Sequence, residues 1–239
     1  MIYNQLGQPI GPAVAGWTPP VRPPDTPMLG RFCRVEPLDL KRHAADLYAA
    51  NRTDADERMW TYLAYGPFDS LDRYVATMEQ LSSAGDPFFH AIVDSATEKA
   101  VGVASYLRID LPNGVIEVGH IAYSPLLQRT PAATEAMYLM MQRVFTLGYR
   151  RYEWKCDALN APSRAAAQRL GFSFEGVFRQ ATVYKGRNRN TAWYAIIDQE
   201  WPALQAAFVR WLDPANFDDA GRQRLRLSDL TASVVKQNG

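Results

Sequence analysis

The chain has 239 residues, of which 47% are hydrophobic and 21% charged, a composition typical of a globular protein with one principal domain. Its 26 Lys and Arg residues against 25 Asp and Glu residues leave a net charge of +1, which gives no electrostatic reason to expect a nucleic acid or a membrane surface as partner. No stretch approaches the roughly 20 uninterrupted apolar residues of a membrane span, and no basic region followed by an apolar run opens the chain. We therefore expect a cytoplasmic protein.

Cysteine and histidine are scarce. Cys33 and Cys156 lie far apart in sequence and predict neither a disulfide framework nor a zinc site. The histidines, His43, His90 and His120, lack the close spacing of metal-binding helices. We therefore expect reduced cysteines and a protein that uses no metal.

Residues 1–30 differ from the rest of the chain. They contain seven of the sixteen prolines, the last at Pro27, which favours an extended strap over a helix or a strand. Trp17 is the strap residue expected to dock on the main body. Residues 31–200 predict the main domain, and residues 201–239 a C-terminal helix followed by a charged tail.

The main domain predicts strands and helices in a mixed order. Strands are predicted over residues 32–38, 88–93, 100–109, 115–123 and 151–157, with two more joined around residues 185–188. Helices are predicted over residues 39–51 with Asp39 as the cap, and over 70–83, 132–147, 161–170 and 201–212. This order predicts an α/β (α+β) fold with a mixed sheet.

The loop between the strand 115–123 and the long helix after it is the most informative segment. A helix start presents unpaired backbone N–H groups and a positive dipole end, both suited to a pyrophosphate. Ala132 and Ala133 are small enough to let phosphate oxygens approach the backbone. The local pattern alone favours an ordinary helix start with a proline, Pro131, in its first turn.

Three ordered motifs add to this pattern. Gln128-x-x-Pro131-x-Ala133 followed by Thr134-Glu135-Ala136 resembles the acetyl-coenzyme A (acetyl-CoA) loop of the GNAT superfamily, in its RimJ/RimL-like branch. Residues 155–163 and 170–176 resemble that branch's Asn-x-x-Ser helix entry and Leu-Gly-Phe strand, and residues 34–38 resemble its opening motif. The resemblance covers about residues 31–200 and implies the GNAT acyltransferase fold, a strongly twisted central sheet flanked by helices.

The resemblance implies an N-acetyltransferase that moves an acetyl group from acetyl-CoA to a primary amine by direct attack in a ternary complex. The acceptor would be a protein N-terminal α-amine or a small-molecule amine. Two other functions stay open, namely an acetyltransferase that detoxifies an antibiotic or a toxin, and a catalytically silent acyl-CoA-binding sensor. Homodimer formation also stays open, with the strap and the C-terminal helix as candidate surfaces.

The resemblance also implies a set of cofactor-binding residues. Ser163 is expected to donate a hydrogen bond to the coenzyme A sulfur, although a first-turn serine also satisfies a helix N–H, and Asn160 is typical of an N-cap. Backbone N–H groups of residues 121–123 are expected to polarise the thioester carbonyl. The implied set is Ile121, Ala122, Tyr123, Gln128, Arg129, Thr130, Ala132, Ala133, Thr134, Asn160 and Ser163.

Two residues are candidates for accepting the amine proton. Glu117 lies on the strand expected to border the acceptor cleft, where a carboxylate can have a raised pKa, but a paired surface carboxylate explains it nearly as well. His120 has a better-matched ordinary pKa, yet strict strand alternation places it on the face opposite Glu117. Only a bulge in the strand would bring both into one site.

The acceptor side carries fewer signals. Trp60 and Tyr62 precede the second helix, where the branch forms one wall of the acceptor site, and Tyr184 and Tyr194 lie on the last two strands; packing is a simpler explanation for the latter two. Lys185 belongs to a basic hairpin tip, which is typical of a solvated turn.

Two departures from the branch pattern bear on the site. Pro131 stands where the family usually has a glycine, so one backbone N–H for the pyrophosphate is missing. The segment 117–121 lies one residue further from Pro125 than the branch pattern expects. The register of the catalytic strand therefore stays open.

Overall fold

The computed structural model describes residues 1–236, so the last part of the predicted tail, residues 237–239, lies outside the described residues. The helices are α1 (Leu40–Asn51), α2 (Leu71–Ser82), α3 (Pro131–Thr146), α4 (Ala161–Arg169), α5 (Trp201–Leu212) and α6 (Leu227–Thr231), with short 3-10 helices at Arg58–Trp60 and Pro214–Asn216. The strands are β1 (Ile2–Tyr3), β2 (Pro9–Ile10), β3 (Met28–Leu29), β4 (Cys33–Pro37), β5 (Phe88–Asp94), β6 (Ala100–Asp110), β7 (Val115–Tyr123), β8 (Arg151–Asp157), β9 (Ser173–Tyr184) and β10 (Arg187–Ile197).

Eight of these strands form one sheet, in the order β3-β4-β5-β6-β7-β8-β10-β9. In the part of the chain that the structure describes, β7 and β8 are the one parallel pair of this sheet, and all its other neighbours are antiparallel. Parallel neighbours need a crossover connection, and α3 supplies it. The mixed α/β fold predicted from the order of elements is confirmed.

β7 and β8 separate partway along their length. They pair from Val115 opposite Arg151 to Val118 opposite Trp154. Beyond that point β7 runs on to Tyr123 without a partner on its β8 side. The backbone groups that this part of β7 directs towards β8 are therefore open to a ligand, whereas its other side pairs with β6 and the Tyr123 carbonyl accepts a hydrogen bond from Gln128. Because α3 follows β7 and α4 follows β8, both helices begin beside this opening.

Helices cover both faces of the sheet. On one face, α3 and α5 contribute Met140 and Phe208 to a core that includes Val118 of β7. On the other, α1 and α2 contribute Leu47 and Met78 to a second core. Burying each such side chain stabilises the fold by roughly 1.5–3 kcal/mol, so the strands that flank the opening are held from both sides.

The predicted elements of the main domain are confirmed, with ends that differ by one or two residues. Asp39 caps α1 by accepting a hydrogen bond from the backbone N–H of Lys41, as predicted. Ser70 caps α2 in the same way. The prediction that the strap contains no strand is wrong at both of its ends: β1 and β2 pair around a turn at Gly7, which adopts a φ of +75°, and β3 pairs with β4.

The strap lies against the main domain at several points, two of which involve Trp17 and Arg143. The Trp17 indole donates a hydrogen bond to the carbonyl of Pro112, and the Arg150 guanidinium lies 5.3 Å from the centre of its ring. Arg143 of α3 donates to the backbone carbonyls of Thr26 and Pro27. No helix within residues 1–236 is long and apolar enough to cross a membrane.

A bulge in β7 explains the one-residue offset noted in the sequence. Gly119 lies opposite Ser105 and Ala122 opposite Val103, so two residues of β7 face the single residue between those partners. One of them, His120, has a φ of +50°. The extra residue reverses the alternation of side chains along the strand from this point on.

Candidate active site

The opening between β7 and β8 lies beside the N-terminus of α3. Thr130 is the N-cap, and its hydroxyl accepts a hydrogen bond from the backbone N–H of Ala133 at 3.2 Å. Pro131 is the first helical residue, so it adds no donor. The Ala132 N–H donates no hydrogen bond within residues 1–236, and Arg129 adopts a φ of +61° just before the cap. The helix start thus keeps one free N–H and its positive dipole end.

Two side chains of the predicted loop bind within the protein. The Gln128 side-chain amide donates to the Tyr123 carbonyl at 2.7 Å, which ties the loop to the end of β7. The Thr134 hydroxyl accepts from the Arg169 guanidinium at 3.1 Å. Both hydrogen bonds fix the position of the α3 start relative to its surroundings.

Glu135 is a structural residue that the sequence analysis did not single out. Its buried carboxylate accepts hydrogen bonds from the backbone N–H groups of Arg31, Phe32 and Cys33, at 2.6–2.9 Å. An added Cβ at Gly30 would overlap this carboxylate. Glu135 therefore fastens α3 to the turn between β3 and β4. Its place in the Thr-Glu-Ala motif was the available signal.

The start of α4 separates two roles that the sequence left open. Asn160 is the N-cap, as predicted, because its side-chain oxygen accepts the backbone N–H of Ser163. The Ser163 hydroxyl accepts a hydrogen bond from the Trp154 indole N–H at 3.0 Å. Burial raises the pKa of the neighbouring Cys156 thiol, and a hydrogen bond with Ser163 opposes that shift. Ser163 is thus not the cap, and its hydroxyl is available for another function.

Glu117 is a buried member of an ion-pair network and not a surface carboxylate. Its side chain is 4% exposed, and its carboxylate lies 2.6 Å from the Arg108 guanidinium and 2.9 Å from the Lys155 ammonium. Lys155 also pairs with Glu153 at 2.7 Å and lies 3.7 Å from the centre of the Trp193 ring. Burial raises the pKa of Glu153, but the hydrogen bonds and charges of Lys155 and Arg151 outweigh it and lower that pKa overall.

His120 lies on the same face of the sheet as Glu117, because the bulge reverses the alternation of β7. Its ring is stacked on Tyr65 at 5.7 Å and packs edge-on against Phe89 at 5.1 Å, both residues of the core under α1 and α2. Burial lowers the pKa of His120 to about 4, with a smaller contribution from the Arg108 charge. The imidazole is therefore neutral at neutral pH.

The four predicted acceptor contacts differ in exposure. Trp60 is 4% exposed and packs among aromatic side chains, and Tyr194 is fully buried, with its hydroxyl accepting from Arg164. Tyr62 donates to the Leu159 carbonyl at 3.1 Å, and Tyr184 donates to the Asp157 carboxylate at 2.9 Å. Packing thus accounts for Trp60 and Tyr194, whereas Tyr62 and Tyr184 lie at the loop between β8 and α4. Contact with a substrate stays a prediction for all four.

The basic hairpin tip between β9 and β10 is not a free, solvated turn. Lys185 donates to the Trp60 carbonyl at 2.8 Å, and Arg187 donates to the Thr61 carbonyl at 2.7 Å. Together with the Tyr62 hydrogen bond, these contacts tie the segment before α2 to the β9–β10 hairpin and to the loop between β8 and α4. The charge of this tip was predictable from the sequence, whereas its partners were not, because they lie more than 120 residues away in the chain.

The described residues hold no cluster of three or more His, Cys, Asp or Glu side chains that could bind a metal ion. The geometry brings together the opening between β7 and β8, the starts of α3 and α4, and the Ser163 hydroxyl. Glu117 and His120 lie on the face of the sheet opposite α3.

Known proteins share the fold that carries these groups. A family profile described as "Acetyltransferase (GNAT) domain" matches residues 34–173. The crystal structure of a GCN5-related N-acetyltransferase from Brucella melitensis is similar over 92% of this chain and 100% of that one, with 46% identity and a TM-score of 0.89. The crystal structure of a probable GNAT-family acetyltransferase from Chromobacterium violaceum ATCC 12472 is similar over 82% of this chain and 98% of that one, with 39% identity and a TM-score of 0.77. An uncharacterized N-acetyltransferase, p20 of Bacillus licheniformis, is 24% identical over 151 residues, which are 62% of this chain and 84% of that protein.

Proposed function

This chain belongs to the GNAT acetyltransferase family and is an acyltransferase, and from that premise we propose that it transfers an acetyl group from acetyl-CoA to a primary amine. The acceptor that we propose is a protein N-terminal α-amine or a small-molecule amine, as the RimJ/RimL-like motifs imply. The single observation that supports transfer over binding alone is the Ser163 hydroxyl, which the helix does not need as a cap and which lies at the opening.

The residues at the opening fit acetyl-CoA. The free N–H of Ala132 and the positive end of α3 suit a pyrophosphate, and Ala133 leaves room for it. The unpaired edge of β7 past Val118, with Ile121, Ala122 and Tyr123, offers backbone groups to the rest of the molecule. We propose that Gln128, Arg129, Thr130 and Thr134 shape the loop, and that Asn160 and Ser163 lie at the sulfur end.

Acetyl-CoA supplies an activated acetyl group, so the net change is one new C–N bond in the acceptor and one C–S bond broken. Backbone N–H groups of β7 polarise the thioester carbonyl. Ser163 donates a hydrogen bond to the coenzyme A sulfur as the sulfur takes the electron pair of the C–S bond that breaks. The attacking amine loses one proton, for which Glu117 and His120 are the proposed acceptors. Both lie on the face opposite α3.

A catalytically silent acyl-CoA-binding protein is the second candidate. Pro131 gives it some support, because the loop departs here from the family pattern and one N–H of the helix start is absent. An acetyltransferase that acts on an antibiotic or a toxin would use the same donor site and differ in its acceptor alone.

The Ser163→Ala variant tests the proposal. We expect its kcat to fall roughly 10- to 1,000-fold, about 1.4 to 4 kcal/mol, while the KM for acetyl-CoA changes little, because the hydrogen bond strengthens as charge develops on the sulfur. The protein should still fold, because Asn160 carries the cap, but it should lose about 1–3 kcal/mol of stability because the buried Trp154 indole N–H loses its acceptor. Unchanged turnover in Ser163→Ala would remove this residue from the mechanism.

A further inference from the structure

Trp154 occupies the point at which the two central strands part. It is the last residue of β8 that pairs with β7, where it lies opposite Val118. Its side chain is 5% exposed and packs edge-on against Phe172, with ring centres 5.6 Å apart. A side chain so enclosed has one orientation, so the direction of its indole N–H is fixed.

Within residues 1–236 that N–H has one partner, the Ser163 hydroxyl oxygen, 3.0 Å away. An indole can only donate, so Ser163 is the acceptor in this pair. The backbone N–H of Ser163 is taken by Asn160, so the helix makes no demand on the hydroxyl. The serine proton is therefore left for an acceptor away from the indole, a position for which the neighbouring Cys156 sulfur competes.

We propose that Trp154 is a positioning residue, which holds the Ser163 hydroxyl with its proton directed to the sulfur of bound coenzyme A. This inference rests on the proposed function, because it assigns a role to Ser163 in the transfer. Accepting one hydrogen bond makes a hydroxyl a better donor in the next. It also removes the rotational freedom that the hydroxyl would otherwise lose in the transition state.

A double-mutant cycle measures this dependence. Trp154→Phe keeps an aromatic ring against Phe172 but removes the N–H, so we expect kcat to fall about 3- to 30-fold, the loss of one hydrogen bond, with little change in the KM for acetyl-CoA. Combined with Ser163→Ala, it should add almost nothing to the loss from Ser163→Ala alone, because the indole acts only through the serine.

Trp201→Phe is the matched control. Trp201 belongs to the same core and is stacked on Phe145, remote from the opening. Trp201→Phe removes the same indole atoms as Trp154→Phe, so the two variants should lose a similar free energy of unfolding. Any loss of kcat in Trp201→Phe should be independent of Ser163, so in the double variant it should multiply with the loss from Ser163→Ala.

The indole N–H can also be followed directly in the unmodified protein. In a 15N-labelled sample the Trp154 indole resonance should shift on Ser163→Ala, which removes its acceptor. With Ser163 present it should shift when coenzyme A is added, and less when desulfo-coenzyme A is added, because the sulfur reaches the indole through the hydroxyl. This measurement does not require Trp154→Phe to fold.

The outcomes separate the inference from the proposed function. Multiplying losses in the double variant, full activity of Trp154→Phe, or equal shifts with coenzyme A and desulfo-coenzyme A would overturn the positioning role and leave acetyl transfer standing. Full activity of Ser163→Ala would overturn the role of the serine and with it this inference. A non-additive cycle together with a sulfur-dependent indole shift supports it.

Discussion

The two sides of the opening are built in different ways. The donor side consists of one strand edge and two helix starts, and its key hydrogen bonds join residues three apart, Thr130 to Ala133 and Asn160 to Ser163. On the acceptor side, Lys155 reaches Glu117 from another strand, and the hairpin tip reaches the segment before α2. Local contacts thus shape the proposed acetyl-donor site, and distant contacts shape the proposed approach of the acceptor. A loop can change the acceptor without disturbing the donor site.

The largest effect that we expect concerns the buried lysine of the acceptor side. Lys155→Met should lower the free energy of unfolding by about 3–5 kcal/mol, because it leaves the Glu117 and Glu153 carboxylates buried without their shared cation. Arg108→Met removes the other partner of Glu117, but that arginine is 62% exposed and its pair contributes less than about 1 kcal/mol. Urea unfolding of both variants measures the difference. Equal losses would mean that burial does not distinguish the two cations.

The next effect concerns the donor side alone. Ala133→Asp should weaken acetyl-CoA binding about 100-fold, or about 2.7 kcal/mol, because it places a carboxylate beside the proposed pyrophosphate site. Ala203→Asp is the matched control, since Ala203 is exposed at the same third position of α5. Both variants should fold, because an acidic residue suits a helix start. If Ala133→Asp binds as tightly as the parent protein in calorimetry, the loop has been misidentified.

Releasing the hairpin tip should affect the acceptor and not the donor. Lys185→Met combined with Arg187→Met removes the hydrogen bonds to the Trp60 and Thr61 carbonyls, so the KM for the amine should rise about 10-fold while acetyl-CoA binding is unchanged. Arg179→Met, an exposed change on the same hairpin, serves as the control. A matching loss of acetyl-CoA affinity would contradict the separation of the two sides.

The smallest effect distinguishes the two proposed proton acceptors by pH. The pKa of His120 is lowered to about 4, so its imidazole is already neutral across pH 6 to 9, and His120→Asn should change kcat by a constant factor when His120 is not the residue that accepts the amine proton. An α-amine has a pKa of about 7.7 to 8.0 and loses its own proton within this range. Glu117→Gln should therefore cost about 3- to 10-fold at pH 6 and less at pH 9 if Glu117 accepts the proton.

The lowered pKa of His120 also makes the stability of the fold depend on pH. Between pH 6.5 and pH 4 the unfolded chain protonates His120 before the folded protein does, so stability falls as the pH falls through this window. His120→Asn should make that fall shallower, and asparagine tolerates the φ of +50° at this position. Melting temperatures at pH 4.5 and 7 provide the check.

In the turnover measurements, a loss of kcat in Glu117→Gln that is independent of pH would instead assign Glu117 a positioning role.

The comparison also shows what the sequence can predict. The bounds of β7, β8 and α5 and the caps at Asp39 and Asn160 were predictable, because periodicity and capping depend on residues close in the chain. The family motifs then predicted the donor side.

The acceptor side was not predictable in the same way. The partners of Glu117, the indole bound to Ser163 and the carbonyls bound to Lys185 and Arg187 depend on which strands become neighbours. The bulge at His120 left only an indirect signal, the one-residue offset of the segment 117–121. It became interpretable once the pairing with β6 was known.

The most direct test of the central claim is the release of free coenzyme A thiol from acetyl-CoA, measured with a panel of amines that includes short peptides with free N-termini and small-molecule amines. The account predicts release that depends on at least one amine, with the acetylated amine as the product and a large loss in Ser163→Ala. Saturable binding of acetyl-CoA with no amine-dependent release across the panel would contradict it and identify a silent acyl-CoA-binding protein.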